Sequence, residues 1–399
     1  MAALKKIKIG PNNYLLIPEY DLLARSSQNL LINILNLSLS FLSNILLSLI
    51  LGPYNFGLFK TITSFFEQVP ITFGLNITLK KEIPYLIEKK YYGQIKTLLK
   101  KFYFFRLTTI IILSFVFFLF RSRLSQNLLK DSSLHFLITL GILIFAINFL
   151  DFIRPLLLGL RHYRCYLKTN LFLTLARNFL ILILSLKTGI NGALIGIPLG
   201  SIIAVLPAIK KIKGENFWHY ASQPISFARL FWHYSLPIYF ISLSGALSGL
   251  ITPLLALFFS PTRIGYYNFA LMAASPVGLI ASSIAPFLFP ETAWEQAHAG
   301  IEAARRRFQK ILLLYSFISL PLLPLAGLLL IYLISHYIPL YRATIPLIPI
   351  YLILYFFLGL LSLITTFYTA SNQKKKAALL NLASSLLFFL ASYFSLQFI

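Results

Sequence analysis

Five ionisable side chains interrupt stretches otherwise built from Leu, Ile, Phe and small residues: Lys60, Glu67, Asp151, Arg154 and Arg177. A charge at mid-bilayer costs from about 2.5 kcal/mol upward unless it meets water or a counter-charge. Such residues therefore mark either a wet pathway through a membrane protein or a set of mutually neutralised pairs. Both readings are open for Asp151 and Arg154, which stand three apart on one helical face, and for Lys60 and Glu67, seven apart. Arg177 has no carboxylate three or four residues away in its own stretch, so neutralising it requires Asp151 or Glu67 from another helix.

Uncharged polar residues reinforce the pattern. Asn29, Asn33, Asn36, Ser40 and Ser43/Asn44 recur every three or four residues, as do Lys60, Ser64, Glu67/Gln68, Thr72 and Asn76. Helical periodicity puts each set on one face. Weaker stripes run through Ser242, Gly245, Gly249 and Thr252, and through Asn268, Ser275, Gly278 and Ser282. Small and polar residues are common where membrane helices touch, so helix packing explains any one of them. A face that adds Lys60 and Glu67 is better explained by a hydrated cavity.

Other chemistries lack their residues. The chain has 399 residues, of which 58% are hydrophobic and 12% charged, too little polar surface to coat a water-soluble globule. A net charge of +24 would suit nucleic acid only if gathered on one soluble surface, whereas these basic residues lie between apolar runs. The single Cys165 forms no intramolecular disulfide, and six scattered histidines show no HExxH or clustered ligand spacing. No metal site or cofactor is expected. An enzyme of glycan assembly would need external loops bearing acid, base or metal-ligating groups; the connections on that side are short, the longest running from about 121 to 133.

The elements that position these residues are membrane-spanning helices. Apolar runs of about twenty residues cover a hydrocarbon core of about 30 Å, and the alternation of an outer-membrane barrel is absent. The fold class is all-α, with eleven spans expected at roughly 28–51, 56–79, 102–120, 134–159, 166–186, 189–209, 231–259, 264–289, 309–334, 343–369 and 377–397. Lys and Arg in alternate connections number 26 on one side and 6 on the other, which places the N-terminus in the cytoplasm. Residues 1–27 then form a cytoplasmic segment ahead of an uncleaved first span, 28–213 a six-helix bundle, 214–230 a cytoplasmic linker and 231–399 a five-helix bundle.

The two bundles are related. Leu51-Gly52-Pro53-Tyr54-Asn55-Phe56-Gly57-Leu58-Phe59 aligns with Phe259-Ser260-Pro261-Thr262-Arg263-Ile264-Gly265-Tyr266-Tyr267 at a register of 208, pairing Pro53 with Pro261 and Gly57 with Gly265. Pro84 meets Pro290, and Lys100-Lys101-Phe102 meets Arg306-Arg307-Phe308, at a register of 206. Six spans separate the copies, so the repeat is parallel and its axis runs along the membrane normal. The sixth span has no partner. A twelfth is expected at about 400–415, so either the protein dispenses with it or the sequence is truncated.

The strings LGPYNFGLF, IPYLIEKKYYGQIKTLLKKF, GINGALIGIPLG, HYSLPIYFISLSGALSG and RIGYYNFA resemble the polysaccharide-transport (Wzx-type) flippases of the multidrug/oligosaccharidyl-lipid/polysaccharide exporter superfamily, over essentially residues 25–399. That resemblance implies a central hydrated cavity lined by the first, second, seventh and eighth spans, and rocking-type alternating access. It implies a substrate of undecaprenyl-pyrophosphate-linked oligosaccharide, as in O-antigen or other surface polysaccharide synthesis, moved across the cytoplasmic membrane. Lys60, Arg154 and Arg177 would then meet the anionic headgroup or acidic sugars, while Glu67 and Asp151 bind and release H⁺ or Na⁺. Asn29, Asn33, Asn36, Ser64, Gln68, Asn76 and Asn268 would line the cavity. The partners implied are membrane lipid, the lipid-linked oligosaccharide and other polysaccharide-assembly membrane proteins. A small-molecule or multidrug exporter of the same superfamily is the alternative, and a membrane enzyme of glycan assembly a more distant one.

Overall fold

The computed structural model describes residues 6–8, 14–16, 19–68, 73–236, 239, 249–371 and 373–398. These are almost entirely helical, apart from one short antiparallel pairing of Lys6–Lys8 with Tyr14–Leu16. The helices are α1 (Glu19–Gln68), α2 (Leu75–Glu88), α3 (Tyr92–Leu119), α4 (His135–Ile147), α5 (Ile153–Gly159), α6 (Tyr163–Thr188) and α7 (Ile190–Lys213) in the first half. In the second half come α8 (Ile251–Ala256), α9 (Pro261–Ala274), α10 (Pro276–Tyr337), α11 (Leu347–Ala370) and α12 (Lys374–Ser395).

Eight helical stretches among the described residues are long and apolar enough to cross a membrane, which makes this a multi-pass membrane protein. That count covers the described residues alone, and parts of the second and seventh expected spans lie outside them. Helix α1 contains the first expected span and the start of the second, divided at Gly52, whose φ of 68° and ψ of 170° leave the helical region. Only glycine adopts that conformation cheaply, and Pro53, having no N–H to satisfy, suits the first position of the segment that follows. The second expected span falls on the 53–68 segment and α2, with residues 69–72 between them outside the described ones, and the eighth on α9 and the 276–299 part of α10. Gly300 (φ 84°, ψ 172°) ends that part, and the ninth span follows it. Most of the seventh span's centre, with Ser242 and Gly245, lies outside the described residues, as do Thr72 and the side chain of Ser282.

The repeat is expressed in how the halves meet. The counterpart of Gly52-Pro53 is Ser260-Pro261, where Ser260 caps α9, its side chain accepting the Arg263 N–H at 3.5 Å. A Cβ added at Gly57 would strike the Pro261 carbonyl and the backbone of Gly265, and one added at Gly265 would strike the Pro53 carbonyl. Each residue thus touches the repeat partner of the one that touches it, the reciprocity expected about a twofold axis. Tyr341 seals the junction. Fully buried, it donates to the Ser48 carbonyl at 2.9 Å and stacks on Phe269 at 4.1 Å.

Burial follows the same division. One hydrophobic cluster, including Phe56, Phe66, Phe145, Tyr267 and Tyr341, runs through both halves at the end poor in Lys and Arg. Toward the basic end the described core separates in two, one around Leu79, Leu98 and Leu156, the other around Phe308, Tyr315 and Leu363. Among the described residues the halves share one core at the first end and have separate cores at the other. The linker is held to the first half: Lys96 donates to the Trp218 and Tyr220 carbonyls at 2.8 and 3.0 Å, and Lys101 to Ile225 at 3.1 Å. Thr78 and Ser235 hydroxyls, 2.6 Å apart, bond where the second half begins.

If this glycine contact holds the halves together, Gly57→Ala should destabilise the protein by about 1–3 kcal/mol through overpacking, lowering the thermal unfolding midpoint in detergent. Gly214→Ala, at φ −79° with nothing closer than 3.6 Å to an added Cβ, should leave it unchanged. Equal midpoints for the two variants would count against a close-packed join.

Candidate functional site

Four of the five charged residues singled out by sequence meet around one cavity of about 190 Å³: Glu67, Asp151, Arg154 and Arg177, with Asn148 and Ser201 beside them. Glu67 arrives at the end of the 53–68 segment. Asp151 is carried by the 3₁₀ turn Asn148–Phe152 between α4 and α5, and Arg154 by the first turn of α5. Arg177 is brought in by close packing of α6 on α7. A Cβ on Gly200 would collide with the Arg177 backbone, and one on Gly196 with Ile181 and Leu180. The glycines of GINGALIGIPLG therefore form a small-residue face that lets the two helices approach.

The charges are paired inside this cavity. Arg177 donates through Nη2 to Glu67 Oε1 across helices, and Arg154 Nη2 lies 3.1 Å from Asp151 Oδ1 within one turn. The cross-helix alternative for Arg177 is thus the arrangement present. The side chains of Arg177 and Glu67 remain 29% and 32% exposed, those of Arg154 and Asp151 39% and 43%, so neither pair is sealed in dry packing. A substrate anion can compete for an arginine, and a cation for a carboxylate, without excavating the core.

Lys60 stands apart. It is not paired with Glu67 but donates to Asn44 Oδ1 at 2.7 Å, with its ammonium over the Phe56 and Phe59 rings at 5.3 and 5.9 Å. Asn44 in turn donates to the Ser40 carbonyl at 2.7 Å, so the polar stripes of the two α1 segments face each other across the Gly52 break. The described lining of the charged cavity belongs wholly to the first half. Gln68 in that lining touches the second half, its side chain occupying the space an added Gly249 Cβ would take. In the 208 register Lys60 and Glu67 correspond to Asn268 and Ser275. Asn268 is buried and donates to Ile264 of its own helix at 2.8 Å, accepting from Thr252 at 3.3 Å; Ser275 donates to the Met272 carbonyl at 2.7 Å. The duplicated scaffold therefore carries charge on one side only.

Among the other stripe residues, Ser64 and Asn76 are half-buried and Gln68 is exposed, while the Asn36 Oδ1 is buried without a partner among the described residues. Asn29 and Asn33 lie in α1, but their side chains are outside the described residues.

One buried charge escaped the sequence reading. Arg106, counted among the basic residues of the 80–106 stretch, is only 1% exposed. It donates to Asn76 Oδ1 at 3.1 Å and to the Asn148 carbonyl, and Asn148 Nδ2 donates to the Phe66 carbonyl at 3.0 Å. Arg106 thus ties α2, α3 and the turn bearing Asp151 to the segment bearing Glu67. Its signal was the run Phe102-Tyr103-Phe104-Phe105 before it, which carries the apolar stretch past the arginine. Arg106→Gln should lower the unfolding midpoint more than Arg154→Gln, since it strips partners from buried acceptors. A double-mutant cycle of Glu67→Gln and Arg177→Gln should give a coupling of about 0.5–3 kcal/mol. Strict additivity would mean the two do not interact in solution.

Known proteins place this geometry. A family described as polysaccharide biosynthesis protein matches residues 22–293. No curated protein sequence matches the chain significantly. Among solved structures, an inward-facing multidrug resistance MATE family transporter of the MOP superfamily is similar with a TM-score of 0.62 at 13% identity, over 90% of this chain and 94% of that one. The lipid II flippase MurJ in an inward closed conformation is similar with a TM-score of 0.61 at 17% identity, over 92% of this chain and 86% of that one. The helical fold is similar to that of both these structures, and the chain belongs to the polysaccharide biosynthesis protein family.

Proposed function

We propose that the protein is a flippase that carries lipid-linked oligosaccharide, on an undecaprenyl-pyrophosphate carrier, across the cytoplasmic membrane for surface polysaccharide synthesis. The observation that carries this reading is the cluster of Glu67–Arg177 and Asp151–Arg154 pairs, solvent-accessible around one polar cavity in a fold joined at one end. Family membership supports it. The charge bias orients the basic end toward the cytoplasm, so the separate cores face the leaflet on which lipid-linked glycans are assembled.

In this reading the arginines hold the pyrophosphate or acidic sugars, and their release from Glu67 and Asp151 frees those carboxylates to take H⁺ or Na⁺. Substrate and ion thereby exchange for each other within the same pairs. Lys60, near the joined end, offers an anion contact further along the path. Membrane lipid, the glycan carrier and other polysaccharide-assembly membrane proteins are the partners. The chain performs no bond chemistry itself. A drug exporter of the same superfamily would present carboxylates free for cationic compounds, whereas both cavity carboxylates here are matched by arginine.

Deleting the gene in a host without a redundant flippase should abolish outward appearance of lipid-linked glycan, detected leaflet by leaflet, without altering drug susceptibility. Unchanged appearance overturns the proposal. Arg177→Ala should abolish transport without loss of protein, and Glu67→Ala/Arg177→Ala should not restore it. Wild-type flux in the double variant would remove this pair from the mechanism.

A further inference from the structure

A second, larger cavity lies on the first half near the basic end, with a volume of about 650 Å³ and walls from α3, the 149–156 region, the end of α7 and Trp218. Its lining is apolar and aromatic except for two cations, Lys100 and Lys213. The walls are fixed in place. Tyr103 meets Phe149 edge-on at 4.9 Å, Phe149 meets Phe152 at 5.6 Å, and the Trp218 indole N–H donates to the Ile212 carbonyl at 2.9 Å. Phe104, 70% exposed, leaves one side open.

The charges at this cavity are unmatched. Neighbouring Lys96 and Lys101 are consumed by linker carbonyls, and Lys211 faces Glu215 at 3.9 Å, itself bonded to His162 at 2.7 Å. Lys100 and Lys213 are exposed and have no hydrogen bond or ion pair among the described residues, and no carboxylate lines the cavity. We infer that this groove is a binding site for an anionic glycerophospholipid of the cytoplasmic leaflet, its phosphate between Lys100 and Lys213 and an acyl chain along the aromatic wall. Basic pockets between helices on the cytoplasmic side suit such headgroups. A zwitterionic lipid would bring an ammonium with no acid to receive it. The transported glycan carrier is a poorer occupant, because every lining residue lies between 99 and 218, away from the contact between halves. The site rests on the membrane orientation proposed above, not on the identity of the cargo.

The test uses purified full-length protein and native mass spectrometry, with phosphatidylglycerol or phosphatidylcholine at equal concentration. Phosphatidylglycerol should bind in preference, and Lys100→Gln/Lys213→Gln should reduce its occupancy on the order of tenfold while leaving phosphatidylcholine unchanged. Lys375→Gln/Lys376→Gln, removing the same charge elsewhere, should have no such effect. Phe104→Ala should weaken phosphatidylglycerol binding with both lysines intact. Equal binding of the two lipids, or an unaltered preference in Lys100→Gln/Lys213→Gln, overturns the inference. So does displacement of phosphatidylglycerol by equimolar undecaprenyl phosphate, which would assign the groove to the carrier chain. The readout is bound lipid, so a failure here is distinct from a failure of glycan transport.

Discussion

Backbone contact between repeat-related glycines is the constraint around which the molecule is organised. Hydrophobicity alone gives membrane helices little reason to associate, since lipid tails are as apolar as their side chains. Close approach and hydrogen bonding must supply specificity. Gly57 and Gly265 supply the approach, each against the proline turn of the other repeat, and Tyr341 supplies the bond to Ser48. Because the contact is reciprocal, one interface orients two halves, and the shared hydrophobic cluster collects around it.

Duplication gives the scaffold symmetry while function breaks it. Where the first half places Lys60 and Glu67, the second places Asn268 and, in the same register, Ser275, which bond back to their own helix. Glu67 is matched by Arg177 from another helix, whereas Ser275 needs no such partner.

Local chemistry made much of this legible beforehand. Pro53 and Pro261, with Gly57 and Gly265, exposed the repeat through their common spacing, and these glycines are where the halves touch. The ionisable residues were visible because lipid tolerates so few. Their partners were less so: Glu67 and Arg177 lie 110 residues apart, and only tertiary packing, through Gly196 and Gly200, sets which carboxylate Arg177 finds. Arg106 was hidden because charge counting treats an arginine near the end of an apolar run as part of a loop. The breaks at Gly52 and Gly300 fall between expected spans, because both the hydropathy pattern and the backbone conformation change there.

The segment from Pro53 to Gln68 is an unbroken helix with the joint at one end and the carboxylate at the other. Gly57 and Glu67 are separated by about 15 Å along its axis. A rod of that length behaves as a lever: pivoting it about the glycine fulcrum sweeps Glu67 sideways relative to Arg177 on α6. In the proposed transport cycle, parting of the lobes would also unclasp the ion pair, because both act on opposite ends of a single piece of backbone.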